Sequence, residues 1–199
     1  MKHKYKKYLA EGTLIIFSVL FALFINKLFD DYQTASRKEI ALQSIRKELY
    51  KNQEILKNWK ERHIKIRNRI SAILEGKNNG LKEDLKNQPY LNLGILTGNE
   101  SLIDAILTDT AWESAKSTGI ISEFDFETIQ QLTNVYSMQE EITQKTIEKI
   151  LDYYFNSEAH DLENIDKILI QFQLRFWELT GQEELISSLY KEAIEQIEE

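Results

Sequence analysis

The sequence predicts an all-α protein: an N-terminal transmembrane helix that continues into a long helix, followed by an antiparallel helical bundle. Three observations carry this. Seven Gly and one Pro in 199 residues leave few of the turns that a many-stranded sheet needs. A charge-free apolar run occupies residues 13–25. Beyond it, apolar residues recur at alternating spacings of three and four, the period of a helix face.

The first element is the anchor. Lys2, Lys4, Lys6 and Lys7 open the chain, and TLIIFSVLFALFI follows at 13–25. A spanning helix takes about 20 mostly apolar residues, so the span is drawn over 9–29. Its ends then reach the headgroups, Lys27 snorkels, and Tyr5 and Tyr8 lie in the aromatic belt. A cleaved signal peptide would need a small-x-small site, and Asn26 to Asp31 offers none. The excess of Lys on the N-terminal flank over Lys27, Arg37 and Lys38 places the N-terminus inside. Residues 30–199 are then expected outside the cytoplasm, periplasmic if the cell is Gram-negative. Glu11 borders the apolar run. A carboxylate within a membrane can relay protons, but at the run's edge it reads better as an interfacial residue near a helix N-terminus.

The second element is a long helix over 30–75. No Gly or Pro interrupts the chain between Gly12 and Gly76, so nothing obliges the anchor helix to stop at the membrane surface. Leu42, Ile45, Leu49, Asn52, Leu56, Trp59, His63, Ile66, Ile70 and Ile73 form one stripe, as in a coiled-coil or bundle seam. Asn52 is expected to set register or oligomeric state. His63 is expected to pack rather than bind metal, since no partner ligand sits one turn away. The 42–73 seam is thereby a candidate surface for a second copy or an envelope protein.

Residues 57–69 hold six basic side chains and one acid. Such a stripe can grip phosphate, but Lys60, Arg62, Arg67 and Arg69 flank the seam, where acids of a neighbouring helix would meet them. Charge asymmetry supports this. The net charge is +4 over 1–29, +4 over 30–75 and −15 over 76–199. Nucleic acid is therefore not expected as a partner.

Residues 76–99 carry four of the seven glycines and the only proline, and read as a loop with a short helix near 81–86. Helices are expected at 101–117, 122–156 and 162–197. The first presents Ile103, Ile106, Leu107 and Ala111, and ends on Gly119 as a left-handed cap. The second is capped by Ser122 with Asp125 three residues on. The third carries Ile165, Leu169, Phe172, Phe176 and Leu179. Amphipathic helices of this kind bury their stripes against one another.

Chemistry is sparse. There is no Cys, no phosphate-binding Gly loop and no G-x-S-x-G. The histidines, His3, His63 and His160, fit no metal motif, and Glu158, His160 and Asp161 read as a solvated turn. No catalytic residue, cofactor or metal is assigned, and the domain is not expected to be an enzyme.

Two stretches carry a resemblance. AEGTLIIFSVLFALFIN at 10–26 and AWESAKSTGIISEFD at 111–125 resemble a family of uncharacterised single-pass bacterial membrane proteins, common in Bacteroidetes and seen in proteobacteria. Its marks are a Glu-Gly, LIV-rich anchor and an Ala-Trp-x-x-Ala-x-x-Thr-Gly motif. Glu11, Gly12, Ser18, Val19, Leu20, Ala22 and Leu23 match in the first stretch, and Ala111, Trp112, Ala115, Thr118 and Gly119 in the second. The resemblance implies a domain of unknown function and no activity. Read on its own spacing, Trp112 fills a gap that small residues leave between helices.

The expected role is a membrane-anchored extracytoplasmic interaction or scaffold module. A ligand-sensing bundle with a small molecule near Trp112 is the alternative. It is disfavoured because the far side of the membrane would hold only about eight residues, too few for an output domain.

Overall fold

The computed structural model describes residues 2–198, with side chains described from Glu11 onward. The side chains of the lysine cluster at Lys2 to Lys7, of Tyr5 and of Tyr8 lie outside that description. The chain is all-α, and among the described residues there is no strand. Helix α1 runs unbroken through Lys2–Leu74, about 110 Å at 1.5 Å per residue. It ends where Gly76 takes φ +71°, with Lys77 N–H bonded to Ala72 O and Gly76 N–H to Ile73 O. That is the Schellman pattern, which a left-handed Gly completes.

Helices α2 (Asn79–Lys86) and α3 (Leu93–Thr97) follow, each started by an Asn whose side chain accepts a backbone N–H. The short helix expected near 81–86 is α2, and α3 is a second one within the segment. Next come α4 (Thr110–Ser117), a 3₁₀ turn (Ile120–Glu123) and α5 (Phe126–Glu140). A π-helical stretch (Glu141–Thr146) leads into α6 (Ile147–Phe155). Two short 3₁₀ turns then precede α7 (Ile165–Glu198), which passes through Gly181 without a break.

Cross-helix contacts give the topology. Going up α1, Tyr50, Lys60, Arg67 and Ser71 meet Glu198, Glu184, Thr180 and Gln173 of α7, so the two helices are antiparallel. Gln139 and Thr146 meet Tyr190 and Gln182, which makes α5 and its π continuation antiparallel to α7 as well. The core is a three-helix arrangement in which α7 returns between α1 and α5. Every predicted seam residue from Ile45 to Ile73 is buried, and Leu42 is half-buried. The seam is filled by the chain's own helices.

Two element boundaries differ from expectation. Residues 101–109 are not helical: α4 begins only at Thr110. Their backbone is held by side chains instead. Arg62 donates to Ser101 O, a His63 ring nitrogen meets Leu102 O, and Asn52 pairs with Thr108. Backbone groups satisfied in this way need no helix. Helix α5 is capped by Asp125 rather than Ser122. The Asp125 carboxylate accepts the Thr128 N–H (2.8 Å) and hydroxyl (2.7 Å), whereas the Ser122 hydroxyl donates back to Gly119 O.

The basic flank of the seam is met in two ways. Lys60 pairs with Glu184, and Arg62 with Glu100 and Asp104. Arg67 instead donates to the Thr180 hydroxyl and lies over the Trp177 ring, and Arg69 donates to Leu96 O. A guanidinium satisfied by carbonyls and an aromatic face needs no acid.

Candidate functional site

Residues Asn52 and His63 stand eleven positions apart on α1, three helical turns, so both face the interior. Asn52 reads the backbone of Thr108 with both ends of its amide. Nδ2 donates to Thr108 O at 2.6 Å, and Oδ1 accepts Thr108 N–H at 3.0 Å. Nδ2 also reaches Gln139 Oε1 at 3.1 Å, and that oxygen accepts the Tyr190 hydroxyl at 2.7 Å.

His63 Nε2 lies 3.0 Å from Leu102 O, an acceptor, so this nitrogen carries a proton. Nδ1 lies 2.6 Å from Glu183 Oε1, with both side chains fully buried. A hydrogen bond at this distance needs a hydrogen on one of the two atoms, since two acceptors would repel. Glu183 Oε2 is buried without a partner. The rings of Trp59 and Phe176 pack against the imidazole.

A second cluster surrounds Trp112. Glu48 of α1 accepts the Tyr136 hydroxyl (2.8 Å) and the Ala111 N–H (3.0 Å). The latter is one of the donors that the first turn of α4 leaves unpaired. Tyr136 stacks on Trp112 at 5.6 Å with planes 2° apart. Burial, then the charge of Glu48, pushes the Tyr136 phenol far above its ordinary range; burial and Glu48 act in the same order on Tyr190. Both phenols therefore serve as hydrogen-bond donors.

Beside this stack lies a cavity of about 630 Å³, walled by Trp59, Trp112, Tyr136, Gln139 and Asp109. The π-helical stretch borders it through Thr143 and Gln144. The hydrogen bond from Arg62 holds the Asp104 carboxyl below its usual range, and the nearby Trp59 indole N–H, buried without a hydrogen bond of good geometry, adds a small share. Among the described residues, no group of three His, Asp or Glu side chains is placed to hold a metal ion.

Comparison with known protein families, curated proteins and solved structures gives no match.

Of the residues singled out from the sequence, Asn52 and Trp112 are brought together, through Gln139 and the cavity wall. His63 belongs to the same layer through Trp59. Glu11 is exposed on α1 at the start of the apolar run. Gly119 takes φ +73° as the turn after α4, with open space where a Cβ would sit. Sequence reading missed Glu48, Gln139 and Glu183. For Glu183 a signal existed: it continues the buried α7 stripe of Phe172, Phe176 and Leu179 toward Ile186 and Tyr190, an acid at an apolar position. Gln139 likewise interrupts the buried face of α5.

Proposed function

We propose that this chain is a membrane-anchored helical interaction module, with its bundle held outside the cytoplasm on a stiff stalk. One observation carries the reading: every residue from Thr13 to Phe29 is exposed, including Leu14 at 66% and Phe29 at 65%, on the helix that also forms the core seam. An apolar surface of that extent on a soluble protein would be a large exposed patch. Inside a bilayer it is in its preferred solvent. By length and composition it is the helix segment suited to crossing a membrane. Because α1 does not break, the anchor sets the orientation of the bundle, which suits a scaffold presenting one face to an envelope partner.

The test is a pair of C-terminal reporters, one active only outside the cytoplasm and one only inside, assayed with membrane fractionation. Outside activity in the membrane fraction supports the reading. A soluble secreted reporter means cleavage, and inside activity reverses the topology.

The cavity beside Trp112 favours a second reading, in which the bundle binds a small molecule there. Its volume falls in the range of small-ligand sites, and its wall combines the Trp59, Trp112 and Tyr136 rings with the polar side chains of Gln139 and Asp109. A ligand screen read by thermal shift tests this, because a ligand bound only by the folded chain raises Tm.

A further inference from the structure

A separate groove of about 760 Å³ runs between α1 and the segment from Thr108 to Ile120. Its floor is Ala41, Ala111 and Ala115, with Ile40 and Ile120 beside them. The three alanines explain why it stays open, since longer side chains at this helix crossing would fill it. Ile40 is 61% exposed although it belongs to an apolar wall. Arg37, Lys47 and Lys51 line the same groove, and none of them forms an ion pair among the described residues. The lining acid, Glu48, is already engaged by the Tyr136 hydroxyl and the Ala111 N–H. An apolar floor beneath a net positive rim selects an amphiphile with a negative head.

Position supplies the source. Arg37 stands eight residues beyond Phe29 on one continuous helix, about 12 Å further along the axis. Headgroups reach roughly 5–8 Å beyond the hydrocarbon core on each side, so the groove opens close above them. From Arg37 to Lys51 it extends about 21 Å along α1.

We propose that this groove binds a single-chain anionic amphiphile, a fatty acid or lysophospholipid, taken from the leaflet beneath the bundle. The tail lies on the alanine floor and the head meets Lys47 and Lys51. The source of the ligand, though not its chemistry, rests on the anchored reading above.

The experiment uses the full chain in phosphatidylcholine nanodiscs containing palmitic acid with a diazirine on its chain. After illumination and proteolysis, labelled peptides are mapped by mass spectrometry. The expected result is label on the α4 peptide as well as on the anchor. Ser44→Trp fills the groove from the exposed face of α1, and should cut α4 labelling by at least about tenfold with anchor labelling unchanged. The surface pair Lys47→Gln/Lys51→Gln, which asks nothing of the core, should lower it similarly, and the methyl ester probe should label α4 weakly. Label on the anchor alone overturns the proposal and leaves the anchored reading intact; the groove then serves a second copy or a partner helix. Absence of label on both overturns both. Equal α4 labelling in wild type and variants, or equal labelling by the ester, shows chance collision and also overturns it.

Discussion

His63 Nδ1 lies 2.6 Å from Glu183 Oε1, and neither side chain is exposed. The two residues are 120 positions apart and join the C-terminal part of α1 to the middle of α7. Removing either one strands a polar group in a core made by Trp59 and Phe176. Loss of one partner of a buried pair costs about 3–5 kcal/mol. His63→Leu and Glu183→Leu should each lose stability on that scale in denaturant titration, while the double variant loses distinctly less than their sum. Glu183→Gln should be the mildest change, because the amide can donate to a neutral Nδ1.

Asn52 acts within the chain. In Asn52→Leu the Thr108 N–H loses its acceptor, and Thr108 O keeps only the 3.3 Å contact from Gln139. The expected cost is on the order of 2 kcal/mol for the groups left unpaired. Hydrogen exchange should quicken over 101–109, with no change in sedimentation. A change in oligomeric state instead would restore the seam as an intermolecular surface.

Asp125 gives α5 a pH-dependent start. The hydrogen bonds from the Thr128 hydroxyl, then from its N–H, hold the carboxyl below its ordinary value of 3.8. A lowered folded-state pKa means that the stabilisation is complete above that ordinary value and fades as pH falls through the folded one. Asp125→Ala should cost about 1 kcal/mol at neutral pH and less as the solution is acidified. Asp125→Asn should keep most of the cap and lose its share of the acid sensitivity, as Tm against pH will show.

Gly119 is needed for its backbone alone. Nothing approaches the position of a Cβ, yet φ is +73°. Gly119→Ala should cost about 1 kcal/mol from left-handed strain. Gly12→Ala on α1, equally open but without a positive φ, should not. Thermal unfolding of the two variants side by side measures the difference.

Much of the fold was legible. The seam from Ile45 to Ile73, the uninterrupted α1, the Gly76 and Gly119 turns and the apolar face of α7 all follow from local periodicity and backbone preference, which are printed in the order of residues. The 101–109 segment was misread because its apolar residues imitate a helix face, while its backbone partners, Asn52, Arg62 and His63, lie more than 35 positions away. The site was less legible still. Asn52, His63 and Trp112 could be picked out one at a time as misfits in their surroundings, but not the groups that answer them.

The sequence by itself determined that this is a helical chain with an apolar N-terminal run and a continuous seam, since those properties depend on neighbours three and four residues apart. Only the tertiary structure decided that the seam is filled from within, that Glu183 meets His63 and that Gln139 meets Asn52. Burying a polar group is tolerated only where a partner arrives, and here each partner comes from a helix far along the chain.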